Sequence, residues 1–501
     1  MKKNSNSKNV LSHPLIWCFS TYFAEGFPYS IIRTVSSFFF RTMNVSLDSI
    51  GLTSFFGLPW VLKFFWAPQI DRFVTKKWWL YVTQGILAGL FLLCGFLIPF
   101  SWSVQAAAVI FMIGAFVAAT HDIAIDGYYI VALNSDDQSR YVGFRVLAYR
   151  CALMAGSGII ASVGVKAGWM QAFLLAGALL GLLTIYHAVF LPECQTVNYP
   201  LRQFTRTVLN VKSIAVVGAI VLVVVTLRTT VNSGFYNQLK SSVPLFEQLN
   251  FPAWINIFLF SSLFLAAMYR KRIAAELLKN PQAYYARAFI SFMEQEKIAV
   301  LIAFIILLRT GEILLSNMVS PFIVDCGLKE HFGWLTALVG LPCSIGGALL
   351  GGYLIYRYSL KKMIIPFLLL QNGTNLFYMW LGFDFQEIIA QNVISAEPVF
   401  MGVANLIKFA SVHGFDQFAG GLGTSVLMTF LMRMCKGEYK AAHYAIGSGL
   451  MNLSGIFAGA LSGLMASRLG YGWFFGISFL AAVPGMVLVV PLLKIIKEDR
   501  A

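Results

Sequence analysis

Long apolar blocks alternate with short polar connections along the whole chain, and these blocks set the predicted elements. We count fourteen of them, each long enough to cross a bilayer and each with few formal charges. Uninterrupted apolar runs of about 18 residues or more are typical of transmembrane helices. The predicted spans are 14–40, 48–69, 79–99, 104–133, 143–165, 169–191, 212–236, 251–269, 297–324, 332–356, 362–383, 399–434, 441–466 and 472–493. The pattern therefore predicts an all-α membrane protein with fourteen transmembrane helices.

Composition and charge agree with this pattern. Hydrophobic residues make up 58% of the 501 residues and charged residues only 12%, whereas soluble proteins carry about 25% charged residues. Most lysines and arginines lie at the two termini and in every second connection, and basic residues favour the cytoplasmic side of a membrane. We expect both termini in the cytoplasm. The net charge of +15 is then a topology signal that does not indicate nucleic acid binding.

Weak internal repeats divide the chain into two similar parts. "DRFVTKK" (71–77) recurs in form as "YRYSLKK" (356–362), and "LMAGSGI" (153–159) as "LMNLSGI" (450–456), in the same chain order. Two parallel six-helix halves with a substrate site between them are the plan of major facilitator transporters. We therefore predict a major facilitator fold made of three parts. They are an N-terminal six-helix half (1–200), a two-helix insert with an amphipathic cytoplasmic connector (201–296) and a C-terminal six-helix half (297–501).

The connection after the second predicted span carries a candidate gating motif. It places Asp71 beside Arg72 and follows them with Lys76 and Lys77. Major facilitator proteins have an acidic and basic motif at this place, and its charge pairs would latch helix ends in one state. The alternative is that these residues only anchor the loop on the cytoplasmic side.

Ionisable residues inside the predicted spans are the main candidates for function. Such residues are costly in a bilayer and usually face the bundle interior or water. They concentrate in the first and fourth spans of each half, which line the central cavity of the major facilitator fold. The set contains Glu25, Arg33, Asp122, Asp126, Arg309, Glu312 and Asp416, with Lys63 and Arg150 on neighbouring spans.

The acidic members of this set are candidates for proton coupling. Asp122 and Asp126 are four residues apart, so they lie near one face of a helix. Two carboxylates that share an apolar site cannot both be ionised at low cost. We predict proton coupling at these two residues and at Glu25, Glu312 and Asp416.

Two simpler interpretations of these acids stay open. Asp122 and Arg150 would form an ion pair that only ties the fourth span to the fifth. Arg309 and Glu312, three residues apart, would pair on one helix face. His121, beside Asp122, is expected to be a buried hydrogen-bonding histidine.

The basic members are candidates for binding an anionic substrate. Guanidinium groups bind carboxylates and phosphates through two hydrogen bonds, which favours Arg33, Arg150 and Arg309, and Lys63 is placed with them. For Lys63, an orientation toward the cytoplasmic interface is the alternative. Trp60 and Tyr149 are candidates for stacking on sugar rings, although most aromatic residues in such a chain face lipid or the core.

The motifs of soluble enzymes are missing from the sequence. We find no phosphate-binding loop, no nucleophile elbow and no zinc-spaced set of His and Cys. The seven cysteines have no paired spacing. We expect no enzyme activity, no metal and no cofactor.

Several stretches carry a family resemblance. "LKFFWAPQIDR" (Leu62–Arg72), "ATHDIAIDGYYIVAL" (Ala119–Leu133) and "FDQFAGGLGTSVLMTFLMRMC" (Phe415–Cys435), with "AAHYAIGSGLM" (Ala441–Met451), resemble AmpG-type muropeptide permeases. The resemblance extends over nearly the whole chain and includes the fourteen spans. "KFFWAP" and "DIAIDG" also resemble the acetyl-CoA transporters of the same superfamily. Glu25, Arg33 and His121 depart from the permease pattern, and Gly127 is more similar to the acetyl-CoA branch.

The resemblance implies a carrier in a bacterial inner membrane. It would import N-acetylglucosaminyl-anhydromuramyl sugars and peptides for cell-wall recycling, by alternating access and driven by the proton gradient. We expect a monomer whose partners are protons, the lipid bilayer and an anionic small molecule. A carrier of acetyl-CoA or another acylated anion is the second hypothesis, and a membrane-bound acyltransferase or sensor is the third.

Overall fold

The described part of the chain is helical throughout. A computed structural model describes residues 10–63, 66–67, 70, 73–194, 200, 218, 222–223, 225–242, 249–269, 272, 284–295, 297–394, 402–434 and 440–493. Within these residues every regular element is a helix, and there is no strand. The all-α prediction is confirmed. The predicted gating residues Asp71 and Arg72 lie outside the described residues, as do residues 212–217, 219–221 and 224 of the predicted span 212–236.

The first part of the chain folds into nine α-helices among its described residues. They are α1 (Pro14–Ser30), α2 (Ser36–Thr42), α3 (Leu47–Gly51), α4 (Leu58–Leu62), α5 (Lys76–Leu97), α6 (Ser103–Ala132), α7 (Ser135–Met154), α8 (Ala161–Lys166) and α9 (Trp169–Phe190). The Thr75 hydroxyl accepts a hydrogen bond from the Trp78 amide and caps α5. The Asn134 side chain accepts one from the Asp137 amide and caps α7. Side-chain oxygens at these positions satisfy amide donors that have no partner within the helix.

The later part of the chain contains eleven further α-helices whose bounds lie within the described residues. They are α10 (Gly234–Ser242), α11 (Phe251–Met268), α12 (Tyr284–Met293), α13 (Ile298–Leu308), α14 (Thr310–Asp325), α15 (Phe332–Trp334), α16 (Leu341–Tyr358), α17 (Leu360–Asp384), α18 (Gln386–Ile394), α19 (Val403–Met434) and α20 (Lys440–Leu492). Gly470, with φ of 74°, divides α20 into two segments. Glycine adopts this left-handed conformation readily, and the division matches the two predicted spans 441–466 and 472–493.

Several of these helices are long and apolar enough to cross a membrane. Seven candidate spans meet both conditions among the described residues, and they include Lys76–Leu97, Ser103–Ala132 and Ile298–Asp325. The chain is an integral membrane protein, while the count of fourteen spans stays a prediction.

The second predicted span is not one continuous α-helix. It consists of α3, a 3-10 helix at Leu52–Gly57, and α4. Pro59 lies in the first turn of α4, where its missing amide donor is tolerated and its fixed φ favours helix initiation. The second span therefore stays a prediction, and the apolar pattern gave no sign of the two changes in helix type.

Three π-helical turns interrupt the spans. They are Ile31–Val35 between α1 and α2, Ala155–Ile160 between α7 and α8, and Leu335–Gly340 between α15 and α16. Pro28, inside α1, lacks an amide donor and weakens the α-helical pattern just before the first of these turns. Because π-helical turns occur often at functional sites, their positions are relevant to the site.

The chain forms two compact units. The first contains Met1–Val45, Phe55–Val217 and Leu328–Leu341, and the second contains Ser46–Ser54, Gly218–Gly327 and Pro342–Ala501. Each unit has its own apolar core, with Trp17 and Tyr128 in the first and Phe304 and Phe430 in the second. The predicted division at residues 200 and 296 stays a prediction.

A short segment of the second predicted span packs inside the second unit. The Ser54 hydroxyl donates to the Ile456 carbonyl oxygen at 2.9 Å. A Cβ at Gly51 would lie 2.9 Å from the Ala460 carbonyl oxygen, so α3 approaches α20 at backbone distance. In the same unit, the Asn250 side chain before α11 donates a hydrogen bond to Asp48.

The predicted amphipathic connector contains a helix among its described residues. This helix is α12, and its Phe292 is 2% exposed within the core of the second unit. One side of the connector helix therefore packs on protein.

Candidate functional site

Four polar or aromatic residues form a stripe along the first predicted span. Tyr22, Glu25, Tyr29 and Arg33 follow one another at spacings of three or four residues. Side chains at these spacings lie on one face of a helix. Arg33 belongs to the π-helical turn Ile31–Val35. The stripe therefore places aromatic, acidic and basic side chains at successive turns along the first predicted span.

Lys63 forms an ion pair with Asp122. The Lys63 Nζ contacts the Asp122 Oδ2, which joins the residue after α4 to the middle of α6. Asp122 is 11% exposed at its side chain and Lys63 is 34% exposed. Lys63 therefore points to the Asp122 carboxylate, while its orientation toward a central cavity stays a prediction.

Asp126, one turn further along α6, binds a different cation. The Arg145 Nη2 lies 2.9 Å from the Asp126 Oδ1, and the Tyr22 hydroxyl donates to the same oxygen at 2.9 Å. The Arg145 guanidinium lies over the Tyr22 ring, 4.4 Å from its centroid. The carboxylate of Asp126 thus links α1, α6 and α7.

Glu25 completes what we call the acidic cluster. Its carboxyl group lies near those of Asp122 and Asp126, and its Oε2 is buried with no hydrogen-bond partner. The cluster is Tyr22, Glu25, Lys63, Asp122, Asp126 and Arg145. It holds three carboxyl groups and two basic groups, so full ionisation would leave one excess negative charge in a membrane-spanning region.

An aromatic group lies next along the stripe. The rings of Tyr29 and Trp60 meet edge to face at 5.1 Å, and those of Tyr29 and Tyr149 are 6.1 Å apart. Edge-to-face rings present both a π-face and a polar edge to their surroundings. The structure thus brings the two predicted aromatic residues, Trp60 and Tyr149, onto a common neighbour, Tyr29.

Arg33 fits into a space left by a glycine. A Cβ at Gly57 would lie 2.9 Å from the Arg33 Cζ and 3.0 Å from its Nη1. This distance is shorter than normal van der Waals contact, so any side chain at position 57 would displace the guanidinium. Gly57 ends the 3-10 helix that interrupts the second predicted span.

The tie between Asp122 and Arg150, one of the two interpretations that the sequence left open, does not form in this structure. Asp122 pairs with Lys63, and no hydrogen bond or ion pair between Asp122 and Arg150 occurs among the described residues. Arg145 and Arg150 are five positions apart, which is about 140° around a helix. They therefore point to different sides of α7, and the Asp126 side is that of Arg145.

His121 differs from its prediction in part. It is 1% exposed, as expected, but its Nε2 has no hydrogen-bond partner. The ring nitrogen is therefore buried without the satisfied contact that a structural histidine normally has.

The second unit holds a compact acid–base pair. The Arg309 Nε donates to the Glu312 Oε2 and the Arg309 Nη2 to the Glu312 Oε1, both at 2.9 Å. This bidentate geometry confirms the predicted pairing. Arg309 stands at the break between α13 and α14, with φ of −94° and ψ of −1°. The Gln371 side chain adds a third hydrogen bond, from its Nε2 to the Glu312 Oε2 at 2.6 Å.

Asp416 receives hydrogen bonds from neutral donors. The Thr374 hydroxyl donates to its Oδ1 at 2.7 Å, and the Gln417 Nε2 lies 3.3 Å from its Oδ2. His413, three positions earlier, bonds through its Nδ1 to the Tyr378 hydroxyl at 2.9 Å. Thr374 and Tyr378, like Gln371, belong to α17.

Both lysines of the predicted gating motif lie inside the first unit. The Lys77 Nζ is 2.9 Å from the Glu193 Oε1, just after α9. The Lys76 side chain packs against Gly127. A Cβ added at this glycine would lie 2.8 Å from the Lys76 Cε. These contacts hold the start of α5 against α6 and the end of α9, while the latch function of the motif stays a prediction.

Sequence reasoning missed Tyr22, Tyr29, Arg145, Gln371 and Thr374 as members of these sites. The signal for the two tyrosines was their spacing from Glu25 and Arg33 along one helix face. The other three give no such signal, because their partners lie on other helices. Among the described residues, no group of three or more His, Cys, Asp or Glu side chains has the arrangement of a metal site.

Comparison with known proteins relates the chain to transporters. No family model matches it. It is 24% identical to the anhydromuropeptide permease of Escherichia coli K12 over 95% of this chain and 79% of that protein. It is 23% identical to putative transporter AmpG 1 of Rickettsia prowazekii, over 95% of this chain and 97% of that protein.

Solved structures agree on the fold. The crystal structure of peptide transporter POT in complex with sulfate has a TM-score of 0.63 at 12% identity, covering 97% of this chain and 96% of that one. The nucleoside transporter NupG has a TM-score of 0.57 at 12% identity, covering 97% and 100%. The chain therefore has the major facilitator fold and is similar, over nearly its whole length, to AmpG-type muropeptide permeases.

Proposed function

We propose that this chain is a secondary transporter that imports anhydromuropeptides, or related anionic N-acetylated amino sugars, together with protons. The relative from Escherichia coli is named for anhydromuropeptides, and this name supports the substrate class. The proposed location is the inner membrane of a bacterium, with both termini in the cytoplasm and the chain working as a monomer by alternating access. The proposal includes no enzyme activity.

The acidic cluster is the observation that carries proton coupling. Of the three carboxyl groups on α1 and α6, Asp122 pairs with Lys63 and Asp126 with Arg145, while the Oε2 of Glu25 is buried without a partner. An uncompensated charge in a low-dielectric region is strongly unfavourable, and one bound proton would neutralise the excess charge. Binding and release of that proton would then change which acid Lys63 and Arg145 hold.

The basic and aromatic residues support an anionic sugar as substrate. Arg33, Arg150 and Arg309 offer guanidinium groups that suit carboxylates. In the first unit, Tyr29 lies between Trp60 and Tyr149, and aromatic rings of this kind pack well on the apolar faces of sugars. We propose that these arginines bind the anionic group of the substrate and that the aromatic group packs on its sugar rings.

Transport into vesicles tests this function directly. Purified protein in liposomes is given labelled N-acetylglucosaminyl-anhydromuramyl peptide, with and without an inward proton gradient. We expect accumulation above the external concentration only with the gradient. Uptake that ignores the gradient would refute proton coupling, and absence of uptake would refute the substrate. Competition by acetyl-CoA but not by free N-acetylglucosamine would favour the acylated-anion carrier instead.

A further inference from the structure

Helix α17 carries a band of buried polar side chains in an otherwise apolar sequence. Gln371, Asn372, Thr374 and Asn375 are each at most 7% exposed. Polar groups at such depth are expensive unless they are hydrogen bonded. Asn372 bonds within α17, to the Leu368 carbonyl oxygen. The other three have partners on different helices: Gln371 contacts Glu312 on α14, and Thr374 and Asn375 contact α19 and α20. The band therefore connects α17 to three other helices.

Gln371 and Arg309 donate hydrogen bonds to the same oxygen of Glu312. The Glu312 Oε2 accepts from the Arg309 Nε at 2.9 Å and from the Gln371 Nε2 at 2.6 Å. Hydrogen bonds to a charged group are stronger than those between neutral groups. The amide of Gln371 therefore restrains the Glu312 carboxylate in the position in which it covers Arg309.

Gly423 provides the space for this amide. A Cβ at Gly423 would lie 1.7 Å from the Gln371 Oε1 and 2.2 Å from its Cδ. The Gln371 side chain thus occupies the volume that any other residue at position 423 would need. Gly373, on the same helix as Gln371, has no atom within 4 Å of the corresponding point, so close packing is not general along α17.

We infer that Gln371 is a positioning residue that holds Glu312 on Arg309, so that an anionic substrate must displace this carboxylate to be bound. The inference rests on the proposed function in its second half, since it names Arg309 as a site for the substrate anion. Its first half concerns Gln371, Gly423 and Glu312 alone. Release of Glu312 from Arg309 then becomes part of substrate binding.

Chemical labelling of Glu312 tests the positioning role without any substrate. A hydrophobic carbodiimide reacts with carboxyl groups in apolar sites, and mass spectrometry of peptides measures the rate at each acid. We expect Gln371→Ala and Gly423→Ala to raise the rate at Glu312 by about tenfold, the factor that corresponds to one charged hydrogen bond. The double variant should show no further increase, because both changes remove the same contact.

Two control variants separate positioning from general loss of packing. Gly373→Ala adds a methyl group where there is space and should leave the labelling rate unchanged. Asn375→Ala removes the hydrogen bond from Asn375 to Ser478 at 3.0 Å and should change stability but not labelling at Glu312. A wild-type rate in Gln371→Ala, or an equal increase in Asn375→Ala, would overturn the positioning role.

Uptake kinetics test the competition with substrate. For the labelled anhydromuramyl peptide, we expect Gln371→Ala and Gly423→Ala to lower KM by about tenfold, because the anion competes with a less restrained carboxylate. An unchanged or higher KM in variants with faster labelling would overturn the displacement step. If the wild-type protein takes up no peptide, the proposed substrate fails, while the labelling result still decides the role of Gln371.

Discussion

The guanidinium of Arg145 lies 2.9 Å from the carboxylate of Asp126, whereas Arg150, five positions later, forms no contact with either aspartate of α6 among the described residues. The two arginines therefore have separate surroundings on one helix. The proposed roles of the two arginines, charge pairing for Arg145 and substrate binding for Arg150, can therefore be tested separately.

Arg145 and Arg150 should give opposite kinetic effects. Arg145→Gln leaves Asp126 without its cation, so gradient-driven accumulation should fall at least about tenfold with little change in KM. Arg150→Gln should raise KM by about tenfold and preserve the dependence on the gradient, since a guanidinium that binds an anion is lost. Uptake by proteoliposomes at a series of peptide concentrations measures both. The same effect in the two variants would contradict separate roles.

Asp126→Asn should abolish accumulation but spare exchange. The amide keeps the shape of the side chain and still accepts from Tyr22, but it cannot bind and release a proton. Exchange of labelled for unlabelled peptide across the vesicle membrane should stay within about threefold of wild type, because exchange needs no net proton movement. Asp136→Asn, at an exposed position at the start of α7, is the matched control. Normal accumulation in Asp126→Asn would exclude this residue from coupling.

Lys63 and Asp122 should depend on each other for stability. Lys63→Met leaves the Asp122 carboxylate without its cation and should lower the free energy of unfolding by roughly 1–3 kcal/mol. Adding Asp122→Asn should recover most of that loss, because no unpaired charge remains. Denaturant unfolding in detergent measures the double-mutant cycle, with Lys166→Met as an exposed control. Additive losses would show that the ion pair does not couple the two residues.

Gly57→Ala should weaken substrate binding through Arg33. The added Cβ would displace the guanidinium, which lies 2.9 Å from that point, so KM should rise by about tenfold and resemble Arg33→Gln. Gly89→Ala is the control, since no atom lies within 4 Å of its Cβ position. An unchanged KM in Gly57→Ala, with normal protein yield, would show that the Arg33 position does not affect binding.

Some residues of the candidate site could be predicted from the sequence and others could not. Glu25, Asp122, Asp126 and Arg33 were predicted because charges inside apolar spans are rare and expensive. Arg145 and Gln371 were missed for two different reasons. Arg145 lies at the edge of the predicted span 143–165, where a basic residue is ordinary, and Gln371 is a neutral residue whose role depends on Glu312 and Gly423, both distant in sequence.

The sequence by itself determined the membrane environment and the helical class, since these follow from composition and from apolar runs of membrane-spanning length. Its motifs, such as "LKFFWAPQIDR" (Leu62–Arg72), carried the resemblance to AmpG-type permeases. Only the tertiary structure decided that Lys63 holds Asp122, that Arg145 holds Asp126 and that Gly57 and Gly423 leave space for side chains of other helices. The physical reason is that a period of 3.6 residues fixes which residues share a face, whereas the partner across that face depends on how separate helices pack.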